Sequence, residues 1–215
     1  MDNAAPVLIA LMIGGTITAF ILWAGARSTA KSRRNGEALA ARLGLTLEPG
    51  KPKLGLFHPA PRASGVIRGK RVAFFTFATG SGKSRVVWAA ITIIPPNAGG
   101  LTFNIDRQGL LTKLIELFGM KEIQIGDPDF DAKWFIQTNQ PDFFRAAFLP
   151  ELRTKLTELS NRGRLRGAIT LKDGVVMYRE RGSFYNEAQC DRMAGVVDLA
   201  CDLADVAEVW AGSAK

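Results

Sequence analysis

The sequence has 215 residues, with only two cysteines and one histidine. Two thiols cannot staple a chain of this size, so a disulfide scaffold is excluded. A single imidazole, His58, excludes a His-rich metal site and leaves Ser–His or Cys–His catalysis with one candidate base. It lies in the string Phe57-His58-Pro59, with no cysteine or acidic cluster beside it, and reads as a loop residue. Charge is missing from one long stretch: residues 4–26, AAPVLIALMIGGTITAFILWAGA, carry none. Elsewhere the composition is ordinary, at 47% hydrophobic and 22% charged, which excludes disorder of the whole chain.

At about 1.5 Å per residue the uncharged run reaches roughly 35 Å, enough for a hydrocarbon core of about 30 Å. It predicts an N-terminal transmembrane helix. A signal peptide cleaved after Ala24-Gly25-Ala26 is the competing reading. The stretch before the run has Asp2 and no Lys or Arg, and the run exceeds a usual signal core. Arg27, Lys31, Arg33 and Arg34 follow the run directly. Positive flanks stay on the cytoplasmic side, which places the N-terminus outside and the rest in the cytoplasm, at an inner (plasma) membrane. The same four residues should attract anionic headgroups. Cys190 and Cys201, unpaired, suit a reducing compartment. Ala10, Gly14 and Thr18 form a small-residue ridge against which another membrane helix could pack.

After the run, residues 32–43 predict a basic juxtamembrane helix ending at Gly44, and 49–61 a Pro/Gly linker, so that 27–64 separates the anchor from a domain over 65–212. That domain reads as α+β. Residues 66–68 and 71–78 predict a hairpin around Gly69-Lys70, and 85–94 a central strand, apolar on both faces. The alternation of 101–106 marks a half-buried strand, and the stripe of 108–118 a helix. Short strands over 122–125 and 133–138 flank a turn. Pro141 opens a helix that Pro150 breaks or kinks. Asp173-Gly174 marks a second hairpin over 165–179. The last element is a helix from about 186 to 210. Its buried stripe is Met193, Val197, Ala200, Cys201 and Ala204, and its wet acidic stripe Asp191, Asp198, Asp202 and Asp205. Along such a helix the cysteines stand about 16 Å apart, too far for a disulfide.

Charge is uneven. Residues 27–90 hold thirteen Lys or Arg against two acids, whereas 91–215 hold fifteen against seventeen. The basic excess lies next to the expected membrane, where anionic lipid is its natural partner; nucleic acid is the weaker reading, because Phe74, Phe75, Phe77 and Trp88 alternate within strands as core residues do.

Thr79-Gly80-Ser81-Gly82-Lys83-Ser84 tempts a nucleotide-binding reading. A phosphate-binding loop needs Gly or Ala six residues before its lysine, where Phe77 stands, and a helix after it, where Arg85-Val86-Val87-Trp88 looks like a strand. P-loop-like binding there is therefore a remote alternative to a glycine-rich hairpin loop. Asp127, Asp129 and Asp131 alternate as in a calcium loop, yet Ala132 and Thr138 occupy the places of its glycine and glutamate. They are weak metal candidates. The preferred reading has Asp127 capping a turn, Pro128 setting φ and Phe130 plugging the core.

Gly126, Asp127, Phe130, Asp131, Trp134 and Phe135 form a Gly-Asp-x-x-Phe-Asp motif with following aromatics. With the N-terminal run and the string over 39–45, it resembles bacterial single-pass membrane-anchored proteins with no assigned activity. The resemblance implies one N-terminal span, strands and a C-terminal helix, and no catalytic residue.

The resulting expectation is a non-enzymatic, membrane-tethered interaction module or accessory subunit of a larger membrane assembly. It needs no cofactor, and its partners are lipid and other membrane subunits rather than nucleic acid. The alternative is a small-molecule or lipid-headgroup binding domain, whose mark is a pocket above about 300 Å³ lined by polar groups.

Overall fold

The computed structural model describes residues 4–51, 58–107 and 120–213, with side chains in the first helix from Met12 onward. The helix expected over 108–118 lies outside the described residues, as does the side chain of Ala10.

The first element, α1, runs unbroken over Ala4–Leu43. A separate juxtamembrane helix is therefore replaced by one helix of 40 residues. No proline separates the uncharged run from the basic one, and over 24–43 Ala, Arg, Lys, Glu and Leu outnumber Gly25, Gly36 and the Ser, Thr and Asn residues. The helix ends as the sequence requires, at Gly44 in the left-handed region with φ 66°. Among the described residues, no helix is long and apolar enough to cross a membrane. The first third of the expected span, 4–11, precedes the described side chains.

The strands form one antiparallel sheet in the order β1-β2-β3-β4-β9-β8-β5-β7-β6. Its members are β1 (Thr46–Leu47), β2 (Ala63–Ile67), β3 (Lys70–Thr79), β4 (Val86–Ile94), β5 (Phe103–Arg107), β6 (Lys121–Ile123), β7 (Trp134–Thr138), β8 (Ala168–Lys172) and β9 (Val175–Arg181). The chain lays down β1 to β4 as a meander. It builds a second group from β5 to β7, and then inserts the β8–β9 hairpin between the two. The short helix α2 (Pro128–Asp131) precedes β7; α3 (Pro141–Ala147) and α4 (Pro150–Asn161) follow it; α5 (Glu187–Ser213) closes the chain. Pro128, Pro141 and Pro150 each stand in the first turn of a helix, where a missing N–H costs nothing.

Both tight hairpins carry two left-handed residues, Arg68-Gly69 (φ 52° and 77°) and Asp173-Gly174 (φ 51° and 75°). That is the turn whose twist matches paired strands. The first turn sits one residue earlier than the Gly69-Lys70 expectation, which moves Lys70 into β3.

Directly paired residues share a face. Phe74 opposite Ile91, Ile91 opposite Tyr178 and Tyr178 opposite Ile169 therefore build one buried face across four strands. The apolar side of α5 covers it through Met193, Leu199, Ala200 and Leu203, all fully buried. The expected linker also holds part of this unit. Leu39, Ala40 and Leu45 are buried in the same core, and β1 pairs with β2. Phe75, Phe77 and Trp88 differ from the core expectation: strand alternation puts them on the other face, half-buried.

Candidate functional site

Four places carry chemistry worth weighing. The first is α1 itself. Met12, Ile13, Ile17, Phe20, Ile21 and Trp23 are all more than half exposed. Gly14 and Gly15 have no heavy atom within 4 Å of an added Cβ, and the Thr18 hydroxyl donates to the Gly14 carbonyl at 2.8 Å. A contiguous apolar surface of this kind marks an interaction or membrane site. Below it the basic residues divide. Arg27 sits over the Trp23 ring at 5.3 Å and Lys31 over the Tyr185 ring at 4.9 Å. Arg33 turns inward to Glu37 and to the Glu48 carbonyl, and Arg34 is exposed.

The second is a groove of about 790 Å³ between α4 and α5. Leu149, Pro150, Leu152, Val206 and Val209 supply its apolar wall, and Glu151, Lys155, Glu158, Asp202 and Asp205 its rim. It exceeds the volume expected of a ligand site, but its surface is apolar where the headgroup reading asks for polar groups. Sequence reasoning missed it because its two walls are distant in the chain. The available signal was the pair of exposed apolar side chains Leu149 and Val209 on otherwise amphipathic helices.

Third comes the acidic turn. The Asp127 side chain accepts from the Phe130 N–H at 3.2 Å, and Asp131 accepts from the N–H groups of Ile125 (2.9 Å) and Gly126 (3.0 Å). Asp127 also faces Arg153 at 3.6 Å. Lys133 and Arg153 share the adjoining cleft with Asp127 and Asp129, a mixture of signs that disfavours a divalent cation. Phe130 lies buried between Trp134 and Phe148, with ring centroids 6.0 and 5.8 Å away.

The fourth is the glycine-rich string. Thr79 pairs with Val86, and a single 3₁₀ turn over Gly82–Ser84 joins β3 to β4. Gly80 and Gly82 take the left-handed backbone that the reversal needs, with φ 73° and 52°. A strand, not a helix, follows, so no helix N-terminus points at the loop. His58 makes a structural contact: its backbone N–H donates to the Thr29 hydroxyl at 3.2 Å.

Two charge clusters hold the scaffold. The acidic stripe of α5 is wet as expected at Asp191 and Asp198, and it is also paired. Arg68 reaches Asp198 and Asp202 at 2.9 and 2.6 Å, Lys155 binds the same two acids, and Lys70 bonds to Asp205 and faces Glu208 at 3.0 Å. Hydrogen bonding to Lys155 pulls the Asp198 carboxyl below its usual range. Under the other end of α5, Glu180 is 3% exposed and receives a bidentate pair from Arg192, at 2.6 and 3.1 Å, plus the Tyr178 hydroxyl at 2.8 Å. Burial and the adjacent carboxylate push the tyrosine up in pKa, so it stays a neutral donor. Burial likewise pushes the Cys190 thiol up to about 11, which leaves it a poor nucleophile.

No protein-family model matches the chain, and no curated protein matches it. Among solved structures, the crystal structure of the mycobacterial trehalose monomycolate transport factor A is similar, with a TM-score of 0.54. Identity is 14%, over 80% of this chain and 92% of that one, and a likeness at that level is one of fold: the α+β layout described above is shared with a transport factor.

Proposed function

We propose that this chain is a membrane-tethered, non-enzymatic accessory subunit of a membrane transport assembly, with its folded unit held at the cytoplasmic face. The observation that carries the reading is the apolar half of α1, whose large side chains from Met12 to Trp23 are exposed. Leaving such a surface in water is costly, at about 25 cal/mol per Å², and lipid or membrane helices relieve that cost. The uncharged run from residue 4 and the cations from Arg27 onward support insertion with the N-terminus outside. The ridge of Gly14 and Thr18 supports a helix partner within the membrane. The fold shared with a transport factor for trehalose monomycolate supports an accessory role in moving an amphiphile.

Fractionation tests this. The full chain should stay with membranes through an alkaline carbonate wash, residues 27–215 should be released, and a reporter after Lys215 should be active only in the cytoplasm. Full-length chain in the soluble fraction would overturn the reading. A second reading, ligand binding, is favoured by the α4–α5 groove. Its apolar wall suits a hydrocarbon chain better than a headgroup. Saturable uptake of a fluorescent fatty acid, lost in Val206→Asp, would support it.

A further inference from the structure

The strand register fixes which end of the sheet faces the apolar half of α1. Ala63 pairs with Phe74, and Arg62 lies over the Phe75 ring at 5.4 Å. β2 runs antiparallel to β3, so the residues that precede Ala63, His58 among them, lie toward the Thr79 end of β3. The His58 N–H is bonded to Thr29, three residues past Ala26, or about 4.5 Å along the helix. A second route reaches α1 at Asn35, nine residues or about 13.5 Å past Ala26. Trp88 pairs with Arg181, and the Gly182 N–H donates to the Val87 carbonyl at 2.9 Å. From there the chain turns to Phe184 and Tyr185, whose carbonyls accept from the Asn35 amide at 2.8 and 2.9 Å. Both sides of the β3–β4 hairpin thus arrive at the turns of α1 that follow the uncharged run.

Cations stand at both ends of the sheet. At the far end, Arg68 and Lys70 are tied to Asp198, Asp202, Asp205 and Glu208, and Arg71 is exposed. At the near end, Lys83, Arg85 and Arg181 are exposed and have no ion-pair partner among the described residues. The acid at that end, Glu187, reaches Lys31 at 3.7 Å. Exposed Tyr185 and half-buried Trp88 lie beside these cations, an aromatic and basic mixture suited to a headgroup layer.

We propose that the β3–β4 hairpin tip, through Lys83 and Arg85, together with Arg181 at the end of β9, docks on the anionic phospholipid headgroups of the leaflet that α1 enters. This rests on the membrane-tether reading above. The glycines of the string then serve a sharp reversal that projects two cations toward lipid phosphates. Each basic side chain near an anionic surface strengthens the contact about fivefold, so the three together hold the folded unit against the bilayer rather than letting it tumble on its stalk.

Both native cysteines are buried, so one introduced thiol can be labelled selectively. The full chain, carrying a fluorophore at Ser84→Cys, is reconstituted into bilayers of phosphatidylcholine alone or mixed with phosphatidylglycerol, each with a headgroup-attached quencher. Quenching should be several-fold stronger in the anionic bilayer and fall to the neutral level in the triple variant Lys83→Glu, Arg85→Glu, Arg181→Glu. A Thr16→Cys probe with an acyl-chain quencher reports the tether and should be quenched in both bilayers. Quenching at Thr16 with none at Ser84, or equal quenching of Ser84 in both lipids, overturns the docking and spares the tether. Absence at both positions overturns both. Charge-dependent binding of a single-stranded oligonucleotide without anionic quenching would reassign the surface to nucleic acid and overturn the proposal.

Discussion

Phe130 shows how much one side chain of the acidic turn carries. It is 4% exposed, between Trp134 and Phe148, and truncation leaves a cavity that the short α2 cannot close. Phe130→Ala should therefore cost about 3–5 kcal/mol in a urea melt of the full chain in detergent. Asp131→Asn should cost much less than Asp131→Ala, because an amide oxygen still accepts from at least one of Ile125 and Gly126. Equal losses would show that the carboxylate does something other than accept. This turn was legible in the sequence, since Asp, Pro and Phe at those spacings each have one local job. The buried pair of Glu180 and Arg192 was not, because partners twelve residues apart meet only after β9 folds back beneath α5. Arg192→Met should cost about 3–5 kcal/mol by stranding a buried carboxylate, and Glu180→Gln with Arg192→Met should recover much of that. No recovery in the double variant would mean that the arginine acts through packing alone.

At the scale of elements, hydrophobic period and turn chemistry were enough to place most strands and helices, and the misreadings have definite causes. The α1 break was expected where the charge pattern changes, but backbone continuity follows helix propensity, which does not change there. The pairing of the acidic stripe of α5 was missed because its cations come from the β2–β3 turn and from α4. That seam predicts a pH response at both extremes. The Asp198 pKa is depressed in the fold, so its contribution is present above its ordinary value near 4 and is lost as pH falls through the lower folded value. Lys70 and Lys155 are raised: burial opposes their charge, but hydrogen bonds to Asp205, Glu208, Asp198 and Asp202 outweigh it. Their contributions are present below about 10.4 and are lost as pH rises through the higher folded values. Thermal melts should show a plateau between those limits. Lys155→Gln should lower the plateau and weaken the fall on its acid side. An unchanged acid limb would remove Lys155 from the seam.

The order of the whole sheet could not be read locally. No period in the sequence says that β8 and β9 enter between β4 and β5, since that choice depends on which edges remain open when the last hairpin arrives. The candidate surfaces share this origin. The groove needs α4 beside α5, and the basic tip needs the pairing that carries the end of β3 toward the start of the folded stalk. The composition did disclose a basic excess over 27–90, but not which of its cations meet the acids of α5 and which stand exposed at the hairpin tip.

One continuous helix from the apolar run to the buried Leu39 and Ala40 has a mechanical consequence: α1 acts as a drive shaft. Residues added within it cannot be absorbed as slack and must appear as rotation, about 100° each. Inserting two alanines after Arg27 would swing the folded unit by roughly 200° about the shaft, which leaves the hairpin tip facing the bilayer about 3 Å higher but turns the unit away from any helix packed on the Gly14 and Thr18 ridge. Seven would bring it back to within about 20° of its starting azimuth, roughly 10 Å further from the bilayer. Tether strength should be indifferent to these insertions, whereas any output that depends on which way the folded unit faces should oscillate with helical phase. A response that merely declines with the number of added residues would mean that the stalk is compliant.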